Sequence, residues 1–164
     1  MQRVATGFIV LILSLTAACG WQLRGQSTGS EDTSKGIFVR SSVDQPVAIH
    51  LRNSLELRGN LTELNDAEII IEIGPLMTNK RVAAVDQIGE ADVYRITLSN
   101  QLRILDSNGL EVAPLTTMSQ SDNYNYDRRI LEAMEQEERD LIDRLEQQLA
   151  EAILRRAIIL SRGQ

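Results

Sequence analysis

A single cysteine, a single histidine and three prolines are spread over 164 residues. With only Cys19, the chain cannot close an internal disulfide. With only His50, it cannot build a histidine-rich metal centre, and a serine or threonine nucleophile would find no base except that one imidazole. A lone histidine, with no second to join it, reads as a boundary residue. Aromatic side chains make up only 4% of the chain. Basic residues are outnumbered, 17 Lys and Arg against 23 Asp and Glu, for a net charge of −6. That deficit argues against nucleic acid as a partner, because phosphate binding draws on a cationic surplus. A glycine-rich phosphate loop is also missing, since Gly74-Pro75 and Gly89 stand isolated. No internal repeat is visible. These absences predict a protein that is not an enzyme and holds no metal and no cofactor. What is plentiful is Ile, Leu and Val, enough to pack one compact domain.

The N-terminus reads separately. Arg3 precedes an apolar run that starts at Phe8-Ile9-Val10 and reaches Ala18. The run falls short of the ~20 residues that span a bilayer and fits the hydrophobic region of a signal peptide. Leu15-Thr16-Ala17-Ala18-Cys19 resembles the lipobox of bacterial lipoproteins. That resemblance implies cleavage before Cys19, a diacylglycerol on its sulfur and an acyl chain on the freed amine. One chain holds a membrane only marginally, whereas two or more hold it firmly. Gly20, in place of an aspartate, implies sorting to the outer membrane. The expected segments are therefore 1–18 signal peptide, 19–36 lipidated N-terminus and tether, 37–160 one α/β sandwich domain, and 161–164 tail. Gln26 to Gly36 contains no apolar residue, as a tether would.

Within the domain, Ile37-Phe38-Val39 reads as a short strand. Pro46 opens a helix at a position where its missing N–H is no loss; Val47, Leu51 and Leu55 mark its buried face, and Gly59 ends it. Ile69, Ile71 and Ile73 alternate along a second strand, which resumes past Pro75 through Val82 and Val85. Asp86 to Asp92 reads as a hairpin connection. The clearest strand runs from Val93 to Leu105. There Tyr94, Ile96, Leu98, Leu102 and Ile104 point one way and Arg95, Thr97, Ser99, Gln101 and Arg103 the other, the period of two that marks a sheet with one apolar face. Asp106-Ser107-Asn108-Gly109 is a turn, and Leu110 to about Ser121 returns with a kink at Pro114. From about Arg128 to Leu160 there is neither Gly nor Pro. Asp127 can cap this long helix, whose apolar stripe runs Ile130, Met134, Leu141, Leu145, Leu149, Ile153. The stripe breaks at Glu137-Glu138, which points to first turns that extend past the sheet, to a partner, or to two solvated carboxylates. The order β-α-β-β-β-α predicts an α+β two-layer sandwich: a four-stranded mixed sheet, strands one and two parallel, with two helices on one face.

The start of the expected mature chain, Cys19-Gly20-Trp21-Gln22-Leu23-Arg24-Gly25, resembles that of the LptE family. So do the strand ending "LRILDSNG" and the helix "SDNYNYDRRILEAMEQEERDLIDRLEQQLAEAILRRA". The resemblance covers nearly the whole chain. It implies a lipid-anchored lipoprotein on the periplasmic side of the outer membrane, part of the lipopolysaccharide translocon. Such a subunit plugs the barrel of LptD, assists its assembly and helps place lipopolysaccharide in the outer leaflet. Under that reading Trp21, Arg95, Thr97, Ser99, Gln101 and Arg103 face the partner. Lys80, Arg81, Arg128 and Arg129 are the candidates for lipopolysaccharide phosphates, which call for Lys or Arg. The alternative is a periplasm-facing lipoprotein that binds or carries a lipid on its own, which requires an apolar cavity.

Overall fold

The computed structural model describes residues 36–162, within one compact unit. Cys19, Trp21, the expected signal peptide and the tether up to residue 35 lie outside the described residues. The elements follow in the order β1 (Ile37–Ser41), α1 (Pro46–Leu57), β2 (Ile69–Ile73), β3 (Met77–Val85), β4 (Ala91–Asp106), β5 (Glu111–Asn125) and α2 (Leu131–Arg162). The class is α+β, as expected from the sequence. Among the described residues, no helix is long and apolar enough to cross a membrane.

The sheet has five strands in four ranks rather than four strands. β1 pairs parallel with β2, β2 pairs antiparallel with the end of β4, and β3 pairs antiparallel with its beginning. β5 runs antiparallel along the other edge of β4. So β2 and β3 lie end to end on one edge of β4, parted by Gly74-Pro75-Leu76. Proline has no N–H for the ladder, so pairing stops there and resumes at Met77 opposite Ser99. Pro114 has the same effect on β5. The register slips between Leu102–Thr116 and Ile104–Ala113, a bulge that leaves Pro114 and Leu115 outside the ladder. Both hairpins, Asp86–Glu90 and Asp106–Leu110, close in one way. The aspartate carboxylate accepts two backbone N–H groups, and a glycine at positive φ (Gly89 +82°, Gly109 +79°) lets the chain return.

One face of the sheet carries the core. Ile37 and Val39, Ile69, Ile71 and Ile73, and Ile96, Leu98, Leu102 and Ile104 meet Val47, Leu51 and Leu55 of α1. From α2 come Leu141, Leu145, Leu149 and Ile153, all 0–1% exposed. These four recur every fourth residue, which is why α2 presents a single stripe. The stripe occupies the middle of a helix about 48 Å long at 1.5 Å per residue. Ahead of the helix, Asp127 accepts the N–H of Arg129 at 2.9 Å, as a cap should, and Arg128–Ile130 form a tight 3₁₀ turn. The helix continues to Arg162, two residues beyond the expected end of the domain.

A polar knot interrupts this apolar layer where β2 breaks. Asn100 is 1% exposed and sits in the β4 stripe between Leu98 and Leu102. Its Nδ2 donates to the Gly74 carbonyl at 2.8 Å and to Gln45 Oε1 at 3.2 Å. Gln45 Nε2 donates to the same Gly74 carbonyl at 2.9 Å and to Ser41 Oγ at 2.9 Å. The carbonyl that the proline break leaves out of the ladder is thereby satisfied from inside the core, as a buried acceptor requires.

Candidate functional site: the open face of the sheet

Both helices pack on one face, so among the described residues the opposite face of the sheet has no layer over it. Its composition follows from strand alternation and register. Adjacent strands bring residues of equal facing into rows. From the β3 end the rows read Arg81–Arg95–Asn123, Asn79–Thr97–Ser121, and Met77–Ser99–Ser119. Gln101–Thr117 follows, then Arg40–Glu72–Arg103. The last row, Phe38–Ile70–Leu105, joins Ala67 in a small apolar patch at the far end. Most of this surface is hydroxyl, amide and guanidinium. The five residues expected to face a partner, Arg95, Thr97, Ser99, Gln101 and Arg103, lie in line down its middle.

The face is locally cationic on an acidic protein. Arg40, Arg81, Arg95 and Arg103 stand on it against Glu72 and Glu111. Glu72 takes Arg40 at 2.5 Å and Arg103 at 3.6 Å, and Glu111 takes Arg103 at 3.0 Å. The other end differs. Arg81 and Arg95 sit directly opposite each other, and among the described residues no carboxylate pairs with either. Like charges in that position repel. Arg95 Nε is steadied by Asn123 Oδ1 at 2.8 Å. A cleft of about 350 Å³ opens on the same face beside the β2 break, lined by Arg40, Glu72, Gly74, Gln101 and Arg103 among others.

The four basic candidates do not converge. Neighbours on a strand face opposite ways, so Arg81 belongs to the open face while Lys80 points to the helix side. Lys80 Nζ bonds Glu138 Oε2 at 2.5 Å and lies 4.6 Å from the centre of the Tyr94 ring. The Tyr124 hydroxyl donates to the same carboxylate oxygen at 2.7 Å. Tyr94 stacks on Tyr124 at 5.9 Å and takes Tyr126 edge-on at 5.2 Å. Glu138 thus breaks the α2 stripe because it has a partner on the sheet. It neither overhangs the sheet nor simply reaches water. Burial alone would raise the Glu138 carboxyl, but the bonds from Lys80 and Tyr124 hold it below its usual range. Burial likewise opposes the Lys80 charge, and the bonds to Glu138 and Tyr124 outweigh it, leaving the ammonium above its ordinary value. Tyr124 is pushed up by burial and by the Glu138 charge, against the pull of Lys80.

Arg128 and Arg129, at the entry to α2, each have a carboxylate. Arg128 pairs with Glu90 of the β3–β4 hairpin, and Arg129 grips both oxygens of Asp127, at 2.6 to 3.1 Å. The guanidinium of Arg129 and its backbone N–H together take the Asp127 carboxyl down to about 2. The sequence reading missed Asn100 and the acidic partner of Lys80. The gap in the β4 stripe at position 100 and the gap in the α2 stripe at Glu138 were the signals for them.

Comparison with known proteins places this architecture. Residues 31–157 match the LptE family, described as lipopolysaccharide-assembly. The LPS-assembly lipoprotein LptE of Photorhabdus laumondii is 27% identical over 160 residues, 96% of this chain and 84% of that protein. The fold is shared with rare lipoprotein B of Shewanella oneidensis, at a TM-score of 0.67 and 14% identity over 78% of this chain and 97% of that one. It is also shared with lipoprotein B of Nitrosomonas europaea, at a TM-score of 0.68 and 18% identity over 87% and 93%. With its family match spanning the described sandwich, this chain belongs to the lipopolysaccharide-assembly lipoprotein family LptE.

Proposed function

We propose that the chain is a non-catalytic subunit of the outer-membrane lipopolysaccharide translocon, anchored by acyl chains at Cys19 and seated as a plug inside an LptD-like β-barrel. In that position it would assist barrel assembly and the delivery of lipopolysaccharide to the outer leaflet. The observation that carries this reading is the sheet face that no described residue covers, with its rows of Ser, Thr, Asn, Gln and Arg. The lumen of a large barrel is polar and hydrated. A surface that makes many hydrogen bonds without needing a dry interface suits such a wall. Cys19, with Trp21 two residues on, would hold the domain at the periplasmic leaflet beside the barrel. The apolar patch of Phe38, Ile70 and Leu105 marks one end of the face.

Direct lipopolysaccharide contact has narrower support. Arg81 and Arg95 are the cationic pair on the open face without carboxylate partners among the described residues, whereas Lys80, Arg128 and Arg129 are engaged within the chain. A stand-alone lipid carrier draws less support still, because the described interior between sheet and helices is filled by aliphatic side chains. The test is co-purification from detergent-solubilised outer membranes, with the partner identified by mass. Recovery of a large barrel protein is expected. Recovery of the lipoprotein alone, under conditions that leave other barrel complexes intact, overturns the reading.

A further inference from the structure

On the far side of the molecule from the open face, the two helices meet and bring three metal-ligating side chains together. His50 projects from α1, and Asp143 and Glu146 from α2. The spacing i, i+3 puts the two carboxylates on one side of α2. His50 Nε2 lies 3.7 Å from Asp143 Oδ1, and one donor atom from each of the three residues falls within 4.8 Å of the other two. Glu146 is only 8% exposed, and among the described residues its carboxylate takes no hydrogen bond. A carboxylate on a largely buried residue, beside a second carboxylate and with no donor to hold it, is relieved either by a proton or by a cation that the three side chains share.

We infer that His50, Asp143 and Glu146 form a site for a divalent transition metal of the zinc type, which would clamp α1 to α2. One imidazole nitrogen with two carboxylates suits such ions. Calcium and magnesium prefer six or more oxygens. Bonds of about 2.0–2.1 Å to a tetrahedral ion require donors about 3.3 Å apart, so the His50–Asp143 separation needs little change and Glu146 a modest rotation. The other Asp143 oxygen is already held, because Gln147 Nε2 donates to Oδ2 at 3.0 Å. A fixed outer partner of this kind orients a ligand. The His50 and Asp143 side chains are 29% and 61% exposed, so the solvent side is open for a fourth ligand, water.

The test uses the full lipid-bearing chain, purified in detergent and stripped with chelator, then titrated calorimetrically with ZnCl₂ and melted by circular dichroism. One zinc per chain is expected, with a rise in Tm of roughly 5 °C or more at a hundredfold excess over Kd. Mg²⁺ at the same concentration should leave Tm unchanged. His50→Gln and Glu146→Gln should each weaken zinc binding at least tenfold and remove the rise. Asp143→Ala, at an exposed position with little packing, provides the folded variant if a change at the more buried positions disturbs the helices. Absence of binding by the native chain overturns the inference. So does undiminished binding by these variants when their helical signal is intact.

Discussion

The two faces of β4 are made from alternating residues of one strand, yet they follow different constraints. On the helix side, Ile96, Leu98, Leu102 and Ile104 are 0–1% exposed, and each is held by volume. On the open side, Arg95, Thr97, Ser99, Gln101 and Arg103 lie in polar rows, with Arg95 held by Asn123 and Arg103 by Glu72 and Glu111. The difference separates stability from recognition within a single element. Substitutions on one face should read out as unfolding, and on the other as lost association.

The sharpest way to break that comparison is to cut into the helix side. Leu98→Ala or Leu145→Ala should lower the unfolding free energy by about 2–5 kcal/mol, measured by urea denaturation. A loss below about 0.5 kcal/mol would mean the two faces do not differ as described. The polar knot comes next. Asn100→Ala strips a donor from the Gly74 carbonyl and leaves Gln45 Oε1 without its partner, and should cost about 1–3 kcal/mol. Asn100→Asp is expected to be at least as damaging, because it removes the donating amide and buries a charge.

The Lys80–Glu138–Tyr124 cluster sharpens the comparison through pH. The folded state holds Glu138 below its ordinary 4.5, so its contribution to stability is present above that value and is lost as pH falls through the lower folded value. Lys80 and Tyr124 are held above their ordinary 10.5 and 10.0, so their contributions are present below those values and fade in strong alkali. Lys80→Met should therefore flatten part of the acid-side decline in Tm, with a loss at neutral pH of about 1 kcal/mol or less, since the pair is partly solvated. An unchanged acid limb would sever Glu138 from this role. Smallest in stability is Ser121→Glu, in the middle of the open face, at about 0.5 kcal/mol or less. Its expected effect lies elsewhere, in reduced recovery of the barrel partner from membranes. Full recovery would remove the open face from the interface.

Much of this organisation is legible in the chain. The alternation along β4 identifies both faces, the two Asp-x-x-Gly turns locate the hairpins, and the stripe from Leu141 to Ile153 identifies the helix that covers the sheet. Alternation even separates Lys80 from Arg81, since consecutive strand residues cannot share a face. What local pattern could not supply is pairing across distance. Lys80 and Glu138 are 58 residues apart, Gln45 and Asn100 are 55 apart, and Gly74 and Asn100 are 26 apart. Those contacts explain why a lysine faces the core layer, why a glutamate interrupts an apolar stripe, and why an asparagine is tolerated among leucines.

By itself, then, the sequence determined which residues are apolar and with what period, and so which elements form and which sides they bury. Hydrophobic burial is non-directional and reads directly from spacing. Only the tertiary structure decided that β2 and β3 share one edge of β4, that Glu138 closes on Lys80, and that His50 meets Asp143 and Glu146 where the helices cross. Hydrogen bonds, ion pairs and ligand sets depend on distance and angle, and those are set only when separate elements come to rest against each other.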